Sequence, residues 1–381
     1  MKKHLLFPLL LLLLCRILPA QTVFEPVAGN GLWSTKDGNL FLSRVLEDME
    51  GAQTSIDIEY YWFAKDEAGT RVRDLLIRKA QEGVKVRLIM DNLITPFAPE
   101  SFYQPMRDAG VDLRYVHVFE KMGPFKAVGS ILGERDHRKI VVIDGLVAYT
   151  GGMNFYQRAL DEWVDTQIRV EGPVALQLRA LFQDSWERMG GGELESFAPR
   201  EAGNVVAQAV GTSRHEKIDS LYVQALRGAK KYFYLQTPYF APPPSIVEAF
   251  KEAAARGVDV RLMVPAKSDW EFMNMLTREY GIELFRAGVK VYVYNVRYDH
   301  TKVFICDDIL SSCSTVNMDY RSLRINWEDA VIFHDAESAQ HFKLRFLREM
   351  AESKPIGPED QPITGIKKAW LAFVHWLQPI L

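Results

Sequence analysis

The chain carries one nine-residue pattern twice. DHRKIVVID runs from Asp136 to Asp144 and DHTKVFICD from Asp299 to Asp307, so both read Asp-His-x-Lys-x-x-x-x-Asp. The flanking sequence repeats in the same order. AQTSIDIEYYWF (52–63) answers to AKKYFYLQTPYF (229–240), LLIRKAQEGVKVRLIMD (75–91) to AFKEAAARGVDVRLMVP (249–265), and RDAGVDLRYV (107–116) to FRAGVKVYVY (285–294). Matched segments in one order mean a duplicated unit of roughly 150 residues, an ordinary domain size and too long a period for a solenoid. The fold must therefore accommodate two similar units.

Each unit alternates strands with helices. SIDIEYYW places Ile56, Ile58, Tyr60 and Trp62 at period two. TRVRDLLIRKAQEG has Val72, Leu75, Leu76 and Ala80 at helical spacing and Gly83 as its stop. VKVRLIMD is a further strand. KIVVID and KVFICD are short, wholly apolar strands, as in a sheet covered on both faces. This order predicts an α/β fold. A helix opens at Pro173, and ERMGGGELESFAPREAGN is the expected link between the halves.

In each motif the histidine and lysine lie two apart on an extended chain, so they share a face, while Arg138 or Thr301 points away. One such pair reads as solvated surface. Two copies at one point of a duplicated unit can meet across a pseudo-twofold axis, giving His137, Lys139, His300 and Lys302 in a single site. That set suits a phosphodiester. Two ammonium groups offset the charge of a pentacoordinate transition state, one imidazole attacks phosphorus, and the other serves as acid and then base near neutral pH. No metal or other cofactor is required. Asn154 and Asn317 follow the two motifs at equal offsets and can complete a phosphate cradle. Asp165 and Glu328 also follow at equal offsets, and a carboxylate on one ring nitrogen fixes a histidine's tautomer. Asp144 and Asp307 close the motifs and are candidates for the catalytic set. Their odd separation from the lysines makes a turn-fixing role at least as strong a reading.

Composition adds limits. With 46 basic and 49 acidic residues the net charge is −3, which offers no basic stripe for nucleic acid. Residues 1–20 hold two lysines, an apolar run from Leu5 to Cys15 and a small residue at Ala20. This fits a cleaved signal peptide or, as the alternative, an N-terminal membrane anchor. Beyond it the cysteines are Cys306 and Cys313, read as buried free thiols. In residues 361–381, Ile366, Trp370, Phe373 and Leu377 recur at helical spacing beside Lys367 and Lys368. This reads as an amphipathic tail at a membrane interface or as a helix docked on the core. The first half also has an insert, VFEKMGPFKAVGSILGE, that could line a lipid entrance.

HxKxxxxD followed by GGxN, present twice, resembles the phospholipase D superfamily. HRKIVVIDG with TGGMN, WVDTQIRVEGPVA, QTPYFAPP, RGVDVRLMVPAKSD, NMDYRSLRINWE and WLQPIL resemble its bacterial cardiolipin synthases, over roughly residues 30 to 381. The resemblance implies two α/β/α sandwich units, at 21–195 and 205–360, related by a pseudo-twofold with one shared active site. It implies phosphatidyl transfer from one phosphatidylglycerol to another, giving cardiolipin and glycerol through a phosphohistidine. His137 would be the nucleophile and His300 the acid/base. Lys139, Lys302, Asn154 and Asn317 would hold phosphate, and Asp165 and Glu328 would orient the histidines, with pairing across the halves as one arrangement. It places the protein at a bacterial cell membrane, on the periplasmic or outer side of the inner membrane. The sequence departs at CSTVN, where Ser314 stands at a usual glycine. Two other readings share these residues: a nuclease or phosphodiesterase of the same superfamily, and a hydrolase releasing phosphatidic acid. A catalytically silent membrane binder is a third alternative, but it would be expected to have lost catalytic residues, and none is missing.

Overall fold

The computed structural model describes residues 22–91, 99–116, 134–212, 218–362 and 364–365. The expected leader at 1–20, most of the insert, and the amphipathic stretch from 366 lie outside them. Among the described residues, no helix is long and apolar enough to cross a membrane.

Each half contributes seven main strands. In the first these are β1 (Val27–Thr35), β2 (Ser55–Tyr60), β3 (Lys85–Asp91), β4 (Asp112–Val116), β5 (Lys139–Ile143), β6 (Val147–Gly151) and β7 (Gln167–Glu171). In the second they are β8 (Val205–Thr212), β9 (Tyr232–Gln236), β10 (Asp259–Pro265), β11 (Lys290–Tyr294), β12 (Val303–Cys306), β13 (Leu310–Ser314) and β14 (Glu328–Phe333). The sheet order is β11-β10-β9-β12-β13-β14-β8-β1-β7-β6-β5-β2-β3-β4. It reads the same from either end once each strand is exchanged for its counterpart, so the pseudo-twofold runs between β8 and β1. Those two strands pair antiparallel at Val205–Asn30 and Ala207–Val27.

Chain connections decide the pairing directions. Crossover helices Glu67–Gln81 and Glu100–Asp108 link β2, β3 and β4, which are parallel. A tight hairpin joins β5 to β6, and these are antiparallel. The expected helix stop at Gly83 has φ +90°, a conformation glycine adopts without steric cost. The helix predicted from Pro173 spans Pro173–Arg188.

Three apolar clusters explain why β5 and β12 are apolar throughout. Val141 and Ile143 face the first half's own core, while Ile140 and Val142 face a core shared with the second half. Phe304 and Cys306 face the second half's core, while Val303 and Ile305 join the shared one. The halves are thus joined by a common interior. Cys306 and Cys313 are buried and unbridged.

The period-two pattern of β2 implies that Asp57 and Glu59 face water, yet both are fully buried. Asp57 binds Arg87 at 2.6 Å and Arg179 at 2.9 Å. Ser185 Oγ donates to Glu59 at 2.8 Å, and Arg138 approaches the same carboxylate. The helix Pro173–Arg188, which supplies Arg179 and Ser185, covers this face. The segment 191–204 is laid along the first half, where Glu195 binds Arg87 at 2.6 Å and Arg179 stacks over Phe197.

Candidate active site

Both histidines sit just before their strands and are held by the opposite half. His137 N–H donates to Trp327 O at 2.9 Å, and Trp327 N–H donates to Arg135 O at 2.8 Å. His300 N–H donates to Val164 O at 2.7 Å, beside the parallel pairing of Tyr298–Asp299 with Trp163–Val164. The next residue of each bracing segment is an acid, and it takes the same histidine's ring. His137 Nδ1 lies 2.9 Å from Glu328 Oε2, and His300 Nδ1 lies 2.6 Å from Asp165 Oδ2. Each half therefore supplies the carboxylate for the other half's imidazole, and neither site half is complete alone.

The lysines fold back on their own histidines. Lys139 Nζ donates to His137 O at 2.9 Å and Lys302 Nζ to His300 O at 2.5 Å. Lys302 Nζ also stands 2.9 Å from His300 Nδ1. The closer, anionic Asp165 assigns the Nδ1 proton to the hydrogen bond with the acid, leaving Nε2 free. Asn154 and Asn317 are buried, and among the described residues neither Oδ1 has a hydrogen-bond partner. Such an unmet acceptor suits a bound hydrogen-bond donor.

Burial, reinforced by Lys139, Lys302 and His300, holds His137 well below its usual range, so its imidazole is neutral. Burial and Lys302 also lower His300, but Asp165 opposes them. Burial would raise Asp165, yet Lys302, His300 and the Thr166 amide together hold it below the ordinary carboxylate range. Burial pushes Glu328 up to about 7 against the Thr315 hydroxyl and the two lysines. Burial brings Lys139 down to about 8.

The two sides differ at one position. Gly152 N–H and Thr315 N–H make equivalent bonds, to Thr166 O and Asp329 O. A Cβ at Gly152 would fall 2.1 Å from Asp165 Oδ1, so no side chain fits there. The longer Glu328 leaves room for Thr315, whose hydroxyl donates to it at 2.6 Å. Sequence reasoning passed over Thr315, although its place opposite a glycine of the first motif was a visible signal. The departure at Ser314 has a backbone counterpart, since Gly151 has φ +141° and Ser314 ends an ordinary strand. Aromatic rings also line the histidines: Tyr61 lies 4.7 Å from His137 and Trp163 5.1 Å from His300.

One expectation is corrected. Asp144 and Asp307 do not join this site. Both occupy the first position of hairpin turns, at φ 50° and 54°, with each following residue also at positive φ, as such turns require. The Asp144 carboxylate accepts from the amides of Gln53, Thr54 and Ser55, and Asp307 accepts from Lys230, Lys231 and Tyr232. They pin the far end of the catalytic strand to the start of its neighbour.

Residues 45–186 and 222–350 match the family model described as cardiolipin synthase, phospholipase D-like domain. The Bacillus subtilis protein named probable cardiolipin synthase YwiE is 34% identical over 336 residues, covering 85% of this chain and 66% of that protein. The major cardiolipin synthase ClsA of the same organism is 33% identical, covering 85% and 70%. This chain thus spans about two thirds of the length of these relatives. The crystal structure of phosphatidylserine synthase from Haemophilus influenzae aligns with a TM-score of 0.65 at 14% identity, covering 92% of this chain and 95% of that one, a likeness of fold.

Proposed function

The chain belongs to the cardiolipin synthase family of phospholipase D-like proteins, and from that membership and the geometry of the site we propose that it transfers a phosphatidyl group from one phosphatidylglycerol to another. The observation that carries this reading is the crossed bracing, in which Glu328 and Asp165 each hold the other half's histidine through Nδ1. Both imidazoles then present Nε2 to one shared space.

The chemistry divides between the two sides. His137, neutral through burial, attacks phosphorus through Nε2, while its Nδ1–H stays on the ring and donates to the Glu328 carboxylate. His300, entering the cycle as an imidazolium held by the anionic Asp165, gives its Nε2 proton to the departing glycerol oxygen as the P–O bond breaks, and is left neutral with its proton on Nδ1. A phosphatidyl-histidine remains. His300 then takes the proton from a hydroxyl of the second lipid, that oxygen attacks phosphorus, and the P–N bond breaks to free His137. Lys139 and Lys302 offset the charge of both transition states, and the Nδ2–H groups of Asn154 and Asn317 donate to the non-bridging oxygens. On this reading the working location is a bacterial membrane surface, because the substrate is a membrane lipid.

The test is to trap the intermediate. Phosphatidylglycerol labelled in its phosphate is mixed with the chain and quenched in alkali, where phosphohistidine survives. Label on the peptide carrying His137, lost in His137→Ala, supports the assignment. Label on the His300 peptide in the wild-type chain overturns it.

A further inference from the structure

The duplication gives Glu59 an internal comparison. In the matched segments Glu59 answers to Gln236 and Asp136 to Asp299. The registers agree: Glu59 on β2 stands opposite Ile140 on β5, and Gln236 on β9 stands opposite Val303 on β12. All four side chains are buried. In the second half, Asp299 Oδ1 accepts from Thr301 N–H at 3.1 Å, and the Gln236 amide donates to Asp299 Oδ2. In the first half, Asp136 Oδ1 accepts from Arg138 N–H at 3.3 Å. The place of the Gln236 amide is taken there by the Glu59 carboxyl, which is in hydrogen-bonding contact with Asp136.

Two carboxylates cannot make that bond, because both are acceptors alone. Glu59 Oε1 is satisfied, since Ser185 Oγ donates to it at 2.8 Å and Arg138 Nη1 lies 3.4 Å away. Glu59 Oε2 and Asp136 Oδ2 are buried, and among the described residues neither has a hydrogen-bond partner. A proton between them supplies what the second half obtains from an N–H. The surroundings favour that proton. Asp329 faces the pair from β14 and Asp91 from β3, while Arg138 is the cation beside it, with Asp184 behind on the helix. Arg135 is engaged with Asp91 at 3.5 Å. Burial drives both carboxyls of the pair up, and Arg138 opposes this without cancelling it.

We infer that Glu59 and Asp136 share one proton at neutral pH, and that Glu59 is thereby a positioning residue that holds His137 through Asp136. The Asp136 carboxyl spans His137 to reach the Arg138 amide. Its own N–H donates to Asp91 at 3.1 Å, and it lies in a parallel bridge with Trp327, whose carbonyl takes the His137 N–H. The shared proton turns a repulsion beside His137 into a bond. The role toward His137 rests on the transfer reading above, and the shared proton itself does not.

The experiment is infrared difference spectroscopy of the full chain at about pH 7, where an ordinary carboxyl is ionised. Wild type minus Glu59→Gln shows the carbonyl stretch of a protonated carboxylic acid, and wild type minus Asp136→Asn shows it too. Glutamine keeps an oxygen for Ser185 and Arg138 and offers an N–H to Asp136, as in the second half, so this variant folds. Urea unfolding gives a second reading. The folded chain holds a proton that the unfolded chain releases, so stability falls as pH rises. Between about pH 6 and 8 the unfolding constant of the wild type, relative to Glu59→Gln, rises about tenfold per unit. For positioning, Glu59→Gln keeps kcat within about threefold of wild type. Glu59→Leu leaves Asp136 Oδ2 without a donor and lowers kcat of the folded chain about tenfold. A difference spectrum without the acid band, or a stability ratio that does not move with pH, would overturn the shared proton. Glu59→Gln as impaired as Glu59→Leu, or Glu59→Leu with the wild-type kcat, would overturn the positioning role. A chain with the band and the pH slope that turns over no phospholipid would uphold the shared proton and remove the transfer reading instead.

Discussion

Replacing Asp165 by asparagine isolates the role of the His300 side. Asp165 makes two hydrogen bonds: Oδ2 to His300 Nδ1 at 2.6 Å and Oδ1 to Thr166 N–H at 2.7 Å. Asparagine is the same size and keeps the second. Toward the ring it presents an N–H, which makes Nδ1 an acceptor and moves the imidazole proton to Nε2. The neutral ring then cannot take a proton at Nε2, and the imidazolium loses its anionic partner beside the ammonium of Lys302, 2.9 Å away. Wrong-tautomer substitutions of this kind cost about 10⁴-fold in a buried serine–histidine–aspartate site, which corresponds to about 5 kcal/mol. Steady turnover of phosphatidylglycerol should fall by at least about 10³-fold. A substrate carrying p-nitrophenol in place of glycerol separates the steps by stopped-flow absorbance, because that leaving group departs without a proton. Asp165→Asn should release a burst of about one nitrophenol per chain and then stall, with phosphatidyl-histidine waiting for a base. Loss of the burst along with the steady rate, in a chain that still melts normally, would refute the assignment of His300 to proton transfer. So would steady turnover within about threefold of wild type.

Four further outcomes follow from the structure. Glu328 orients His137 as a carboxylate and Lys139 binds phosphate as an ammonium, so kcat/KM should fall as pH drops through about 7 and as it rises through about 8. Thr315→Val removes a hydroxyl that favours the Glu328 anion and should move the acid limb to higher pH, read from the same profile. Asp144→Ala removes three amide bonds far from the histidines and should lower stability by about 2–4 kcal/mol by urea unfolding, with kcat of the folded chain nearly unchanged. Arg138→Met leaves Glu59 without its buried cation and should cost about 3–5 kcal/mol in the same assay.

The twin histidines, lysines, asparagines and acids were legible because a duplicated chain is its own comparison: Asp165 and Glu328 stand out by matching each other's offset. Which histidine each acid serves was not legible, since that depends on two bracing segments, 163–165 and 327–328, crossing the interface between halves. What Arg138 meets was not legible either. On an extended strand it alternates away from the site, as expected, and that direction leads to Ser185 and Glu59 beneath the helix Pro173–Arg188. Period-two reasoning identifies a second face without saying what covers it. Asp57 and Glu59 illustrate the same limit. The last aspartate of each motif was set apart by its odd separation from the lysine, and the positive φ of the turn and the three amides it collects decide for the turn-fixing role.

The central claim, one site built from both halves that passes a phosphatidyl group between lipids, is tested most directly by product analysis. Purified chain is given phosphatidylglycerol in mixed micelles, and the lipids are read by mass spectrometry with glycerol assayed in parallel. The account predicts cardiolipin and free glycerol in equal amounts, both lost in His137→Ala and in His300→Ala. Phosphatidic acid without cardiolipin, or either single variant retaining the wild-type rate, would contradict it.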